Sequence, residues 1–147
     1  MKFETNVQEA CYNKVSLWMR ELFDKFPCVR QDLPGITLFM GSALVEVSVF
    51  AWGDNEAIIN TRSYVVTNVD LKADLMKFLL QENSKMRFGA FGIDENNSII
   101  FEHTIVGSTC DKPELEASVR AVLAISDEYD DKIVEQWGGH RAMDRIY

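Results

Sequence analysis

Apolar residues recur at steps of three and four over the first stretch of the chain. Val7, Cys11, Val15, Trp18, Leu22 and Phe26 fall on one face of a helix that Thr5 or Asn6 can cap. Pro27 stops it, because the residue before a proline is pushed out of helical geometry, so the helix is predicted to end near Phe26. After the turn signal Leu33-Pro34-Gly35 the period changes to two. Ile36 to Met40 reads as a short strand, Gly41-Ser42 breaks it, and Ala43 to Trp52 is the strongest strand pattern in the chain. Val45, Val47, Val49 and Ala51 share one face, which is predicted core. Leu44, Glu46, Ser48, Phe50 and Trp52 share the other, whose mix of polar and aromatic side chains points to partial exposure or to cover by a partner. Gly53-Asp54-Asn55 turns the chain into a third strand, Ala57 to Thr67. Its middle, Asn60-Thr61-Arg62-Ser63, is too polar for a strand sandwiched between two apolar layers, so at least one side of the sheet meets water or a ligand.

Asp70 is the predicted cap of a second helix, Leu71 to about Asn83. Leu71, Leu75, Phe78 and Leu79 form its stripe, and Met76 and Leu80 widen the apolar arc beyond what a surface helix needs. Burial on two sides accounts for that width, with Leu75, Phe78 and Leu79 as candidates for a homodimer interface; close packing within a monomer is the alternative. From Met86 to Val106, two β-rich runs flank Asp94-Glu95-Asn96-Asn97-Ser98, a cluster of turn formers. This is a hairpin, and it is expected at the centre of a sheet covered by helices. Asp111-Lys112-Pro113-Glu114 has the form of a capping box with proline in the first turn, and it opens a long helix to about Trp137. Leu115, Val119, Val122, Tyr129, Ile133 and Trp137 lie on one stripe, with Ser126 completing the spacing. Glu116, Asp127, Glu128, Asp130, Asp131 and Glu135 make the outer face acidic, and Gly138-Gly139 ends the helix. The class is therefore α+β: one domain over residues 1–147, with a largely antiparallel five-stranded sheet in the order α-βββ-α-ββ-α.

Composition narrows the function more than the fold. With 147 residues, 47% apolar and 26% charged, the chain can bury an ordinary core without disulfides or metal. A net charge of −8 argues against a nucleic-acid surface, which needs a basic footprint. The opening residues lack the apolar core of a signal peptide, and no run approaches the ~20 apolar residues of a membrane span, so a cytoplasmic protein without membrane contact is expected. Cys11, Cys28 and Cys110 fit neither a disulfide framework nor a zinc site and read as buried or half-buried thiols. His103 alternates with Ile99, Phe101 and Ile105, which places it on the apolar face of its strand. A structural histidine is the simpler reading, since catalysis needs a nucleophile or carboxylate converging on it. Asp94 to Asn97 lacks calcium-loop spacing, Gly89-Ala90-Phe91-Gly92 is no phosphate loop, and the acids from Asp127 to Asp131 have no histidine nearby. No catalytic residue, metal site or cofactor is expected, and the chain reads as a non-enzyme.

The order of elements resembles the type III secretion chaperone fold and the related YbjN family. The similarity is closest over FGAFGIDENNSIIFEHTIV and the following helix ELEASVRAVLAISDEYDDKIVEQW. The resemblance implies a small acidic protein, often dimeric, that binds an unfolded or extended segment of another polypeptide. The ending WGGHRAMDRIY departs from the secretion chaperones, so a YbjN-like member outside any secretion system is favoured. The expected function is then non-enzymatic, chaperone-like or regulatory, with Phe50 and Trp52 as the peptide-binding candidates. The alternative is a small-ligand sensor or unrecognised enzyme with a pocket near His103. A third reading makes the chain a structural subunit docking through its acidic last helix.

Overall fold

The computed structural model describes residues 1–23 and 27–145. Its elements are α1 (Asn6–Leu22), β1 (Cys28–Val29), β2 (Gly35–Met40), β3 (Ala43–Trp52), β4 (Glu56–Val66), α2 (Ala73–Asn83), β5 (Ala90–Ile93), β6 (Ile99–Val106) and α3 (Lys112–Trp137), followed by a short 3-10 turn over Met143–Arg145. The class and the order of the main elements are those expected. The sheet has six strands rather than five, because Cys28 and Val29 pair with Thr37 and Ile36. A strand of two residues leaves no alternation in the sequence to read.

Local chemistry fixes the helix starts. The Thr5 hydroxyl accepts the Gln8 N–H at 3.0 Å and the Asp111 carboxylate accepts the Glu114 N–H at 2.8 Å, each satisfying a donor that the first helical turn leaves open. Asp70 does not cap α2. Its carbonyl takes the Lys72 N–H in a turn, and the helix begins later, after Lys72. The last turn of α1 predicted up to Phe26 runs into positions 24–26, outside the described residues; Phe23 is already extended.

The strands run in the order β1-β2-β3-β4-β6-β5, every neighbouring pair antiparallel. The Met86–Val106 hairpin is thus not central: β3 and β4 are, and β5 forms an edge. That edge is closed by a side chain. Phe91 N–H donates to Asn83 Oδ1 at 2.6 Å, and Asn83 Nδ2 donates to the Phe91 carbonyl at 3.1 Å. The Asn83 amide occupies the positions that a further strand would need, one of the ways an edge avoids pairing with another chain.

The core lies on one face of the sheet. Val45, Val47 and Val49 of β3, Ile59 of β4 and Phe101 of β6 meet Val15 and Met19 of α1 and Leu115, Val119, Val122 and Ile133 of α3, all fully enclosed. Thr61 and Ser63 also point to this face; the Ser63 and Ser126 hydroxyls are 2.6 Å apart. The polar centre of β4 therefore serves both sides: Thr61 and Ser63 turn inward, Asn60 and Arg62 outward. On the outward face no helix among the described residues covers β3, β4 and β6.

Candidate functional site: the uncovered face of the sheet

Strand register arranges the uncovered face in rows across the strands. Glu46, Arg62 and Glu102 are direct partners from β3 to β4 to β6. Two residues along, about 7 Å at the rise of a strand, Ser48, Asn60 and Thr104 form a second row. Phe50, Ile58 and Val106 form a third, and Trp52 beside Glu56 ends the face. A hollow of about 340 Å³ spans the first three rows, walled by Arg30, Leu33 and Phe50 and floored by Glu46, Ser48, Asn60 and Arg62. A second hollow of about 420 Å³ lies between the N-terminal residues Lys2 to Glu4 and the Leu33-Pro34 turn. Phe50 borders both hollows.

The polar side chains of this face are largely engaged with one another. Arg30 forks onto Asp32, with Nε 2.9 Å from Oδ1 and Nη2 on Oδ2, and its Nη1 lies 2.7 Å from Glu46 Oε2. The Asp32 hydrogen bonds raise the guanidinium pKa further above its usual range and hold the Asp32 carboxyl below its own. Arg62 Nε and Nη2 both reach Glu102 Oε2, at 2.8 and 2.7 Å, and Asn60 Nδ2 adds a contact to the same oxygen at 3.2 Å. Partial burial works against the Arg62 charge, but Glu102 outweighs it and the pKa is raised. These groups can bind and orient a polar chain. They contain no nucleophile aligned on a base.

Phe50 and Trp52 stand together on this face, 41% and 60% exposed. His103 is elsewhere, on the covered face, with Nδ1 2.8 Å from the Ser118 hydroxyl and the Phe88 ring edge-on at 5.4 Å. Burial lowers its pKa, Ser118 is enclosed, and none of the hollows described here includes the imidazole. Leu75 and Leu79, expected at a subunit interface, are enclosed within the chain at 0% and 4% exposure. Phe78 packs on Tyr129 and Trp137. The outward apolar side chains of α2 are Met76 and Leu80, which line an apolar hollow of about 210 Å³ against Ile93 of β5. Cys11 and Cys110 are buried, and burial pushes the Cys110 thiol up to about 11; Cys28 is exposed, against expectation. Arg30 and the Glu46–Arg62–Glu102 row were not singled out by sequence reasoning. Alternation placed Glu46 on the mixed face of β3, but only the pairing of strands sets Arg62 and Glu102 beside it.

Among the described residues no helix is long and apolar enough to cross a membrane, and no three His, Cys, Asp or Glu side chains group as metal ligands. A family model described as "T3SS (YopN, CesT) and YbjN peptide-binding chaperone 1", TY-Chap1, matches residues 11–145. The chain belongs to this family. The match takes in all but the first ten and last two residues, so the likeness seen in the 86–106 hairpin and the last helix extends over the whole fold. No curated protein matches the TY-Chap1 chain described here.

Proposed function

We propose that this TY-Chap1 member is a non-enzymatic chaperone or regulator that holds an extended segment of a partner polypeptide against its uncovered sheet face, centred on Phe50 and Trp52. The observation that carries the reading is the placement of two large aromatic side chains, 41% and 60% exposed, on one strand, with Phe50 bordering two hollows. Aromatic residues of this kind, set among polar neighbours, are the usual anchors of polypeptide recognition. The family description names peptide-binding chaperones, which supports a polypeptide as the occupant. Strand addition at β5 is the weaker route, since Asn83 already holds both outward backbone groups of Phe91. The polar groups of the face are paired with one another rather than poised on a reacting atom, which supports a binding role over catalysis.

A homodimer belongs to the same reading. Its contact is α2 through Met76 and Leu80, the side chains that the fold leaves outward, rather than Leu75 and Leu79.

Native mass spectrometry of the tagged protein, purified gently from its own host, tests both parts. The expected result is a dimer with a co-purified polypeptide that is lost from the Phe50→Ala/Trp52→Ala variant. A polypeptide retained equally by that variant refutes the site, and a bare monomer, or a protein carrying a small molecule in place of a polypeptide, refutes the function.

A further inference from the structure

The guanidiniums beside the hollow on the uncovered face are paired with carboxylates, and two of those carboxylates keep an unused oxygen among the described residues. Arg30 is shared between Asp32 and Glu46, and Arg62 is bound to Glu102. On the acceptor side, Glu46 uses only Oε2 and Glu102 only Oε2, so among the described residues Glu46 Oε1 and Glu102 Oε1 accept no hydrogen bond. The Asn60 carbonyl oxygen likewise accepts none among the described residues. Two arginines against three carboxylates leave this patch one charge negative, in a chain of net charge −8. An occupant that brings donors to these oxygens is therefore favoured, and positive charge over negative. The apolar row of Phe50, Ile58 and Val106 lies beyond the Ser48–Asn60–Thr104 row in the strand direction.

We infer that the segment taken by this face is extended, lies along the strands, and carries an apolar residue over Phe50 and Ile58 and a lysine or arginine toward Glu46 and Glu102. This rests on the reading of the face as a peptide site and specifies its partner. An extended chain turns successive side chains to opposite sides, so the two residues must be separated by an even number of positions. An odd spacing points the basic residue into solvent.

The test uses synthetic, fluorescently labelled peptides of one composition, each with a single Phe and a single Lys, titrated by anisotropy against the full chain. The Lys stands at even or odd spacing from the Phe, and companion peptides carry norleucine or Glu in its place. Even-spaced Lys peptides are expected to bind about three- to fivefold more tightly than the norleucine peptide, the range of a half-exposed ion pair. The Glu peptide is expected to bind more weakly than both. Glu46→Gln/Glu102→Gln should abolish the difference between Lys and norleucine, and raised salt should shrink it. Because the decisive comparison varies the peptide, it does not depend on that variant folding. Binding that depends on Phe50 and Trp52 but ignores the Lys or its spacing overturns this inference and leaves the peptide site standing. Binding that survives Phe50→Ala/Trp52→Ala, or no binding of any peptide, overturns the site as well.

Discussion

Replacing Asp130 with Asn should make the protein more stable at neutral pH, by an amount that grows with pH. Asp130 lies on α3 at 1% exposure, with Oδ2 2.5 Å from the Ser42 hydroxyl oxygen, and that same oxygen is 2.6 Å from Asp127 Oδ1. A serine hydroxyl carries one proton and can donate to one carboxylate only. The other short contact needs a second proton, so one of the two acids is neutral. The Ser42 hydroxyl and N–H together hold the Asp127 carboxyl below its usual range, and Asp127 is exposed. Asp130 is enclosed, its Oδ1 has no partner among the described residues, and burial pushes its pKa up. The charged groups acting on it besides are Asp131 and Asp127, both acids that raise it further. The proton therefore sits on Asp130, which donates to Ser42, which donates to Asp127.

The unfolded chain releases this proton near pH ~3.9, the ordinary aspartate value, whereas the native state keeps it to higher pH. Between those two values the native state binds more protons, so stability falls as pH rises, by about 1.4 kcal/mol per pH unit, and levels off above the native pKa. Asparagine is neutral throughout and keeps a donor for Ser42, so its variant lacks this slope. Urea unfolding of both proteins from about pH 4 to about pH 8 reads the difference, with the slope as the linkage relation gives it. Glu56 and Glu82, whose pKa values are lowered, slope the other way at acid pH but are common to both proteins and cancel; Asp127, coupled to Asp130 through Ser42, is held below its usual range and so titrates below this pH span. A difference that stays constant with pH would refute the assignment of the proton to Asp130.

Phe50→Ala should cost about 1–2 kcal/mol of stability and Trp52→Ala about 1 kcal/mol or less, given how much of each ring is already wet. If these are the anchors, their joint loss weakens peptide binding by at least about 2 kcal/mol, roughly thirtyfold. Thermal melts against peptide titrations separate the two effects, and unchanged binding moves the site elsewhere. Leu75→Ala should destabilise the fold by about 2–5 kcal/mol because the side chain is enclosed. Leu80→Glu, at a position 71% exposed, should leave the fold intact and dissociate the proposed dimer in sedimentation; an unchanged mass removes α2 as the subunit contact. Burial lowers the His103 pKa, with Glu114 opposing, so its contribution is complete above about pH 6.5 and is lost as pH falls through the native value. In the Asp130→Asn background, His103→Gln should remove the fall in stability that sets in as pH drops below about 6.5; a slope that persists assigns it to another group.

The periodic elements could be read from the sequence because each carries its own signal. α3 ends at Trp137 and β3 spans Ala43–Trp52 as expected, since a proline-marked cap, two glycines and a strict alternation are local features. The polar middle of β4 correctly pointed to a face left open. What could not be read depended on partners distant in the chain. The 86–106 hairpin looked central because it is strongly patterned, but pattern strength reports burial and not rank across a sheet. β6 finds β4 across a gap that includes α2, which leaves β5 outside. Leu75 and Leu79 looked like an interface because the arc of α2 is wide. Their cover is supplied within the chain, where α2 packs on α3 through Phe78, Tyr129 and Trp137. The charged row was hidden for the same reason: Glu46, Arg62 and Glu102 are far apart in sequence and meet only through register.

The polar residues buried under the helices bear on why the opposite face is free to bind. Three enclosed side chains of α3 bond to the sheet layer: Ser118 to His103 on β6, Ser126 to Ser63 on β4, and Asp130 to Ser42 in the turn between β2 and β3. An apolar helix on an apolar sheet specifies its register less uniquely, because cores of the right volume and pattern keep their stability while losing uniqueness. Sliding α3 by one turn would break all three bonds at once and strand enclosed hydroxyl and carboxyl groups, at about 1–3 kcal/mol each. Strand spacing comes from the backbone ladder and twist from chain chirality; the helix fixes the side-chain packing under the sheet from one side only. The rows on the other side have no second layer to hold them. An occupant of the Phe50 and Glu46 rows meets a surface whose geometry is already fixed, so little of its binding free energy is lost in ordering the protein. Loosening α3 through Ser118→Ala and Ser126→Ala should then weaken peptide binding at a face neither residue touches. Equal affinity in a folded double variant would show that the uncovered face keeps its shape unaided.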